Sequence, residues 1–280
     1  MITTGLLLIV LAVLVVVVLA LCGVLASQLG VPWTWVASPA VVAIVVGSMI
    51  GLLLKVQVAR RVQRRNDEAV ALLHQGQVER AARALDDLMR ASKRFGALHA
   101  LVQQNRAVAS LYEGDLTRAL DVLTALDRAG WYERQLVTVK VHALGAIVLA
   151  LALSGRYDEA QRVLQERRVT LSAAQQPLLV LPEAVVLCLR GDLDGALAAI
   201  DRDRAAFEGL ATGRATRVLG LLRSFATQRE EELGEAERRS VVDAADAARH
   251  IIRHWAALRR FVEAAQRTEH DAANSSTSSH

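Results

Sequence analysis

Apolar positions are first massed and then patterned along this chain. Gly5 to Ala26 is a nearly unbroken apolar run. A second run, Val36 to Val58, is interrupted only by Ser38, Pro39, Ser48, Lys55 and Gln57. A helix of about 20 residues crosses the ~30 Å hydrocarbon core of a bilayer. Each run is therefore long enough to be a span, with Pro39 suited to a first helical turn and Lys55 able to extend to the interface. Between them, Gln28 to Trp35 holds Gly30, Pro32, Trp33 and Trp35, a short turn whose Trp rings belong at headgroup level. The pattern predicts a two-helix transmembrane hairpin over residues 1–58, contacting lipid through residues 5–58.

Beyond the hairpin the apolar positions recur at helical spacing. They predict helices at roughly 60–75, 78–93, 97–113, 116–128, 132–154, 157–170, 175–190, 193–207, 211–228 and 230–268. Pro177 and Pro182 should distort the start of the seventh. A motif returns four times: Gly76-Gln-Val-Glu-Arg-Ala81, Gly114-Asp-Leu-Thr-Arg-Ala119, Gly155-Arg-Tyr-Asp-Glu-Ala160 and Gly191-Asp-Leu-Asp-Gly-Ala196, with Gly-to-Gly spacings of 38, 41 and 36 residues. Seven residues before each Gly stands Ala69, Ala107, Val148 or Ala184, and four after each Ala stands Leu85, Leu123, Leu164 or Ile200. Gly closes a helix in a left-handed turn, Asp115 and Asp192 can cap the next, and the small Ala lets antiparallel helices approach. Such helix pairs have apolar faces that only neighbouring pairs can cover, so they stack.

These residues resemble the tetratricopeptide repeat family over roughly 62–208. The periods exceed the family's usual 34 residues, and its Trp and closing Pro are missing. The resemblance implies a TPR-like α-solenoid over 66–229; with the N-terminal transmembrane hairpin, a basic juxtamembrane segment at 59–65, a long amphipathic capping helix over 230–270 and a disordered tail at 271–280, all read from the residues themselves, the expected fold is all-α. It also implies a concave groove lined by Asn66, Val70 and Leu73, by Leu101, Gln104, Val108 and Tyr112, by His142, Leu149 and Leu153, and by Leu178, Leu181, Val185 and Leu189. The family's Lys/Asn carboxylate clamp is missing from these positions. Either a partner's apolar or amphipathic helix fills this groove, or the chain's own 230–268 helix does.

Charge fixes the expected orientation. Residues 1–54 contain no Asp, Glu, Lys or Arg, whereas Lys55, Arg60, Arg61, Arg64 and Arg65 place five positive charges together with no acid among them. The rest, 66–280, carries 28 basic and 29 acidic residues. The net charge of +4 thus belongs to the membrane boundary and does not point to nucleic acid. Basic residues stay on the cytoplasmic side, so both termini are expected there, most simply at a bacterial inner membrane. Gly47 and Gly51 form a GxxxG pattern that lets helices approach, within the hairpin or between two copies of the chain.

No spacing points to catalysis: there is no phosphate-binding Gly-rich loop with Lys, no G-x-S-x-G, no H-E-x-x-H and no paired Cys motif. His250 and His254 are four apart and could ligate a metal. Flanked by Arg249 and Arg253, they read instead as a solvated basic face. Cys22 and Cys188 read as buried free thiols. The expectation is a non-enzymatic, membrane-tethered scaffold or adaptor, without cofactor or metal, presenting a protein-binding groove on the cytoplasmic side. The alternative is a structural subunit of a larger membrane complex assembled through the hairpin.

Overall fold

The computed structural model describes residues 39–211, 213–227 and 233–277, together with positions 17, 20, 23, 24, 26–28 and 30. The first expected span and its connecting turn, including Cys22, Trp33 and Trp35, lie almost wholly outside the described residues. The chain divides into two compact units, Met1–Gln63 and Arg64–His280. All regular structure among the described residues is helical.

In the first unit the described part is chiefly the start of α1, which runs Pro39–His74. The sequence pattern had suggested two elements flanking the basic segment. They are one helix, because 52–74 contains no Gly or Pro to interrupt it. Val46, Ile50, Leu52, Leu53, Leu54 and Val58 are exposed on it. Among the described residues no helix is long and apolar enough to cross a membrane.

The second unit is built from helix pairs. After α1 come α2 (Val78–Ser92), α3 (Gly96–Glu113), α4 (Leu116–Arg128), α5 (Val137–Leu153), α6 (Tyr157–Arg168), α7 (Val180–Leu189) and α8 (Leu193–Leu210). Then follow α9 (Gly213–Ala226), α10 (Glu235–Ala247), the single turn α11 (Arg249–Ile252) and α12 (Ala256–Thr277). Short 3₁₀ turns at Tyr132–Arg134 and Gln176–Leu179 precede α5 and α7, the second one beginning around Pro177.

The four repeated turns are alike in detail. Gly76, Gly114, Gly155 and Gly191 all have φ between 79° and 87°. In each, the residue after the Gly donates its N–H five residues back: Gln77 to Leu72, Asp115 to Ser110, Arg156 to Leu151 and Asp192 to Leu187. This is the Schellman closure that left-handed Gly permits. Asp115 accepts from the Arg118 N–H at 3.1 Å and Asp192 from the Gly195 N–H at 2.9 Å, so both cap the following helix as their positions suggest. The three apolar positions of every repeat are enclosed, from Ala69, Ala81 and Leu85 in the first to Ala184, Ala196 and Ile200 in the fourth. The small residues let α3 pack on α4, α5 on α6 and α7 on α8, and each pair then packs on the next.

Two features depart from expectation at the C-terminus. The single long capping helix is three elements, α10 to α12, and α12 packs on α10. The apolar residues at helical spacing here are Val241, Ala245, Ala248, Ile252, Trp255, Leu258 and Val262; Ala245 and Ile252 are half-buried and the other five are buried. Folding the segment back lets both of its halves cover apolar surface, which a straight helix could do on one side only. In addition, α12 continues to Thr277, into the stretch expected to be disordered. With α9 paired to α10, a fifth pair completes the stack.

Candidate functional site

The inner helices α3, α5, α7 and α9 touch one another directly. That contact decides what becomes of the predicted groove. Leu149, Leu153 and Val185 are enclosed in the main core, and Leu73 is buried as well. Gln104 is buried, with its Oε1 unpaired. Asn66 is buried too, its Oδ1 accepting from Asn105 Nδ2 at 2.9 Å across to α3. Val108, Leu178 and Leu181 are half-buried against the main core, and Leu101 lies against a smaller cluster holding Trp131 and Tyr132. His142 stands exposed in the first turns of α5. The predicted set is therefore not one continuous open lining. Its accessible members are Val70, Leu101, Val108, Tyr112, His142, Leu178, Leu181 and Leu189. The C-terminal segment does not lie along this face as one helix; its contact with α3 is made chiefly through α11.

Where α11 meets α3 the structure builds a site that the sequence reading placed on the surface. The ring of His250 stands edge-on to Tyr112, centroids 4.4 Å apart and planes at 70°. His250 is buried, at 7% exposure, and its Nδ1 makes no well-aligned hydrogen bond among the described residues. The expected solvated basic face is thus corrected: the break between α10 and α12 turns the first imidazole inward. Burial, with Arg214 and His254 nearby, pushes its pKa down to about 3, so it is neutral near pH 7. Burial, with Arg253 and Arg259, also lowers His254, and burial raises Tyr112.

Arginines surround this contact. The guanidinium of Arg214 lies over the Tyr112 ring at 5.9 Å and donates to the Asp246 and Ala247 carbonyls at 3.1 and 3.3 Å. Arg253 donates to the Glu113 carbonyl. Arg249 pairs with Asp246 at 2.8 Å. Beneath them, the Gly76 turn and the first turn of α2 complete a cavity of about 570 Å³. Behind it, Arg106 is held by Asp86 at 2.8 Å and Glu113 at 2.9 Å; burial opposes its charge, but the two carboxylates more than offset this.

The remaining sequence candidates fall elsewhere. Gly47 and Gly51 sit on α1, and a Cβ built on either meets nothing within 4 Å among the described residues. Lys55, Arg60, Arg61, Arg64 and Arg65 follow along the same helix. Cys188 is buried, and burial pushes its thiol up to about 12, which keeps it protonated and inert. Among the described residues no group of three or more His, Cys, Asp or Glu could hold a metal ion. No protein-family model, curated protein or solved structure matches this chain.

Proposed function

We propose that this chain is a non-enzymatic, membrane-tethered helical-repeat scaffold that docks a protein partner on the cytoplasmic side. The observation that carries the reading is the fourfold repeat itself. Identical left-handed turns with the same three enclosed positions build stacked helix pairs, an architecture whose usual product is an extended binding surface. The resemblance to tetratricopeptide repeats supports the same use. Tethering rests on the uncharged residues 1–54 and the five basic residues that follow them. A tether restricts encounters to the membrane plane and raises local concentration.

The test has two parts. A carboxyl-terminal tag on the full chain should resist alkaline extraction from membranes and be digested only when protease reaches the cytoplasmic face. Crosslinking in native membranes should then capture a partner whose yield falls at least tenfold in Leu181→Asp or Val108→Asp, both half-buried positions on the inner face. Unchanged capture by both folded variants removes the inner face from the proposal.

A second reading has its own support. A Cβ on Gly47 or Gly51 meets no described residue within 4 Å, which suits a helix packing on that face of α1. A structural subunit assembled there would lose its complex on Gly47→Ile and be indifferent to Val108→Asp.

A further inference from the structure

The second unit leaves seven buried side-chain polar atoms without a partner among its described residues, and three of them gather at one place: Arg214 Nε, His250 Nδ1 and His254 Nε2. All three are nitrogens. Unpaired buried polar atoms are rare because each forfeits its hydration, and two of these three belong to residues that line a cavity. His250, at 7% exposure, and Arg214 both line the cavity of about 570 Å³ described above.

The other wall is backbone. Gly76, in its left-handed turn, brings the start of α2 to the cavity, and Gln77 gives that helix no side-chain cap. The first N–H groups of a helix have no intrahelical acceptor and carry the positive end of its dipole. A Cβ on Gly76 would displace the Arg214 guanidinium, so this turn and Arg214 are in close approach.

Charge agrees. Arg80, Arg214, Arg249 and Arg253 face the cavity, against Glu79, Glu113 and Asp246. Glu113 is engaged by Arg106 and Asp246 by Arg249. The balance at the mouth is positive, and it meets a helix N-terminus, an arrangement suited to anions.

We propose that this cavity binds a phosphate monoester, seated between the N-terminus of α2 and the guanidinium groups of Arg80, Arg214, Arg249 and Arg253. The ligand would join α11 and α9 to the turns of the first two repeats, at the point where the stack closes upon itself. The volume exceeds one phosphate, so the phosphate is the anchor of a larger molecule. That molecule is either a soluble organic phosphate or a phosphatidic-acid headgroup.

The test uses the full chain in neutral detergent, titrated with inorganic phosphate and followed by calorimetry and by the melting midpoint. Saturable binding with a raised midpoint is expected. Arg80→Gln and Arg249→Gln, both exposed on the rim, should each weaken it about tenfold. Arg239→Gln, an exposed arginine paired with Glu235 outside the cavity, should leave it unchanged. Reconstitution into phosphatidylcholine vesicles with and without phosphatidic acid separates the two sources. Loss of phosphate binding when phosphatidic acid is present, dependent on Arg80 and Arg249, assigns the headgroup; unaltered binding assigns a soluble phosphate. The proposal is overturned if the intact chain neither binds phosphate saturably nor responds to phosphatidic acid, or if both rim variants bind as the parent does.

Discussion

The imidazole of His250 rests edge-on against the phenol ring of Tyr112, 4.4 Å between centroids. This one contact ties the C-terminal turn α11 to the end of α3, and it makes a histidine in an arginine-rich stretch a buried, neutral group. The consequences for stability can be measured.

The first concerns acid. An unfolded imidazole titrates at 6.5, and the folded one is depressed to about 3. The folded state therefore binds fewer protons than the unfolded state between these values. Stability is complete above the unfolded pKa and falls as the pH drops from 6.5 toward 3, by about 1.4 kcal/mol per pH unit at most. His250→Gln should flatten this limb. Denaturant midpoints at pH 7.5, 6 and 5 check it: parallel curves for the parent and the variant would show that His250 is not the responsible group.

A second prediction contrasts two leucines. Leu123 has no exposed surface, whereas Leu136 is 77% exposed. Leu123→Ala should cost about 2–5 kcal/mol through lost burial and a residual cavity. Leu136→Ala should stay within about 0.5 kcal/mol. Equal losses from both would mean that the repeat core is not packed around Leu123.

Two equivalent glycines separate turn strain from closure. Gly114 and Gly191 have φ of 87° and 81°. An alanine at either is strained by about 1–2 kcal/mol in the left-handed region. At Gly191 a Cβ meets nothing within 4 Å among the described residues, but at Gly114 it comes within 2.7 Å of Arg253 and 3.0 Å of His254. Gly114→Ala should therefore be the more harmful of the two, and it should also loosen α11. Hydrogen exchange at Ile251 and Ile252 reads the second effect. Indistinguishable behaviour of the two variants would place α11 away from the Gly114 turn.

Orientation is the fourth. If Lys55, Arg60, Arg61, Arg64 and Arg65 set the topology, their joint replacement by Gln removes the bias. A carboxyl-terminal tag should then be found on both faces of the membrane. A tag that keeps a single cytoplasmic location after all five changes would shift the topological signal elsewhere in the chain.

Much of the helical order was legible because its causes are local. Gly155 with Ala160 and Leu164, or Gly191 with Asp192 and Ala196, each contain the turn, the close approach and the filler within a few residues. Helix α4 begins at Leu116, as the Asp115 cap requires, and ends at Arg128. The break after Ala247 was not legible, since no Gly or Pro marks it. His250 and His254 looked like a solvated face because a helical stripe says which residues align, and not whether the helix persists.

The order of the elements and the repeated turns follow from the chain itself: φ preferences, capping and small-residue spacing act between neighbours, and folding has little freedom to contradict them. Which inner-face residues would remain open was decided only when α3, α5 and α7 came into direct contact and enclosed Leu149 and Val185. The Tyr112–His250 contact and the arginine-lined cavity beside it arise in the same way. They bring together segments far apart in sequence, and the free energy of such a meeting depends on the accumulated rotation of every helix pair between them, which no local pattern records.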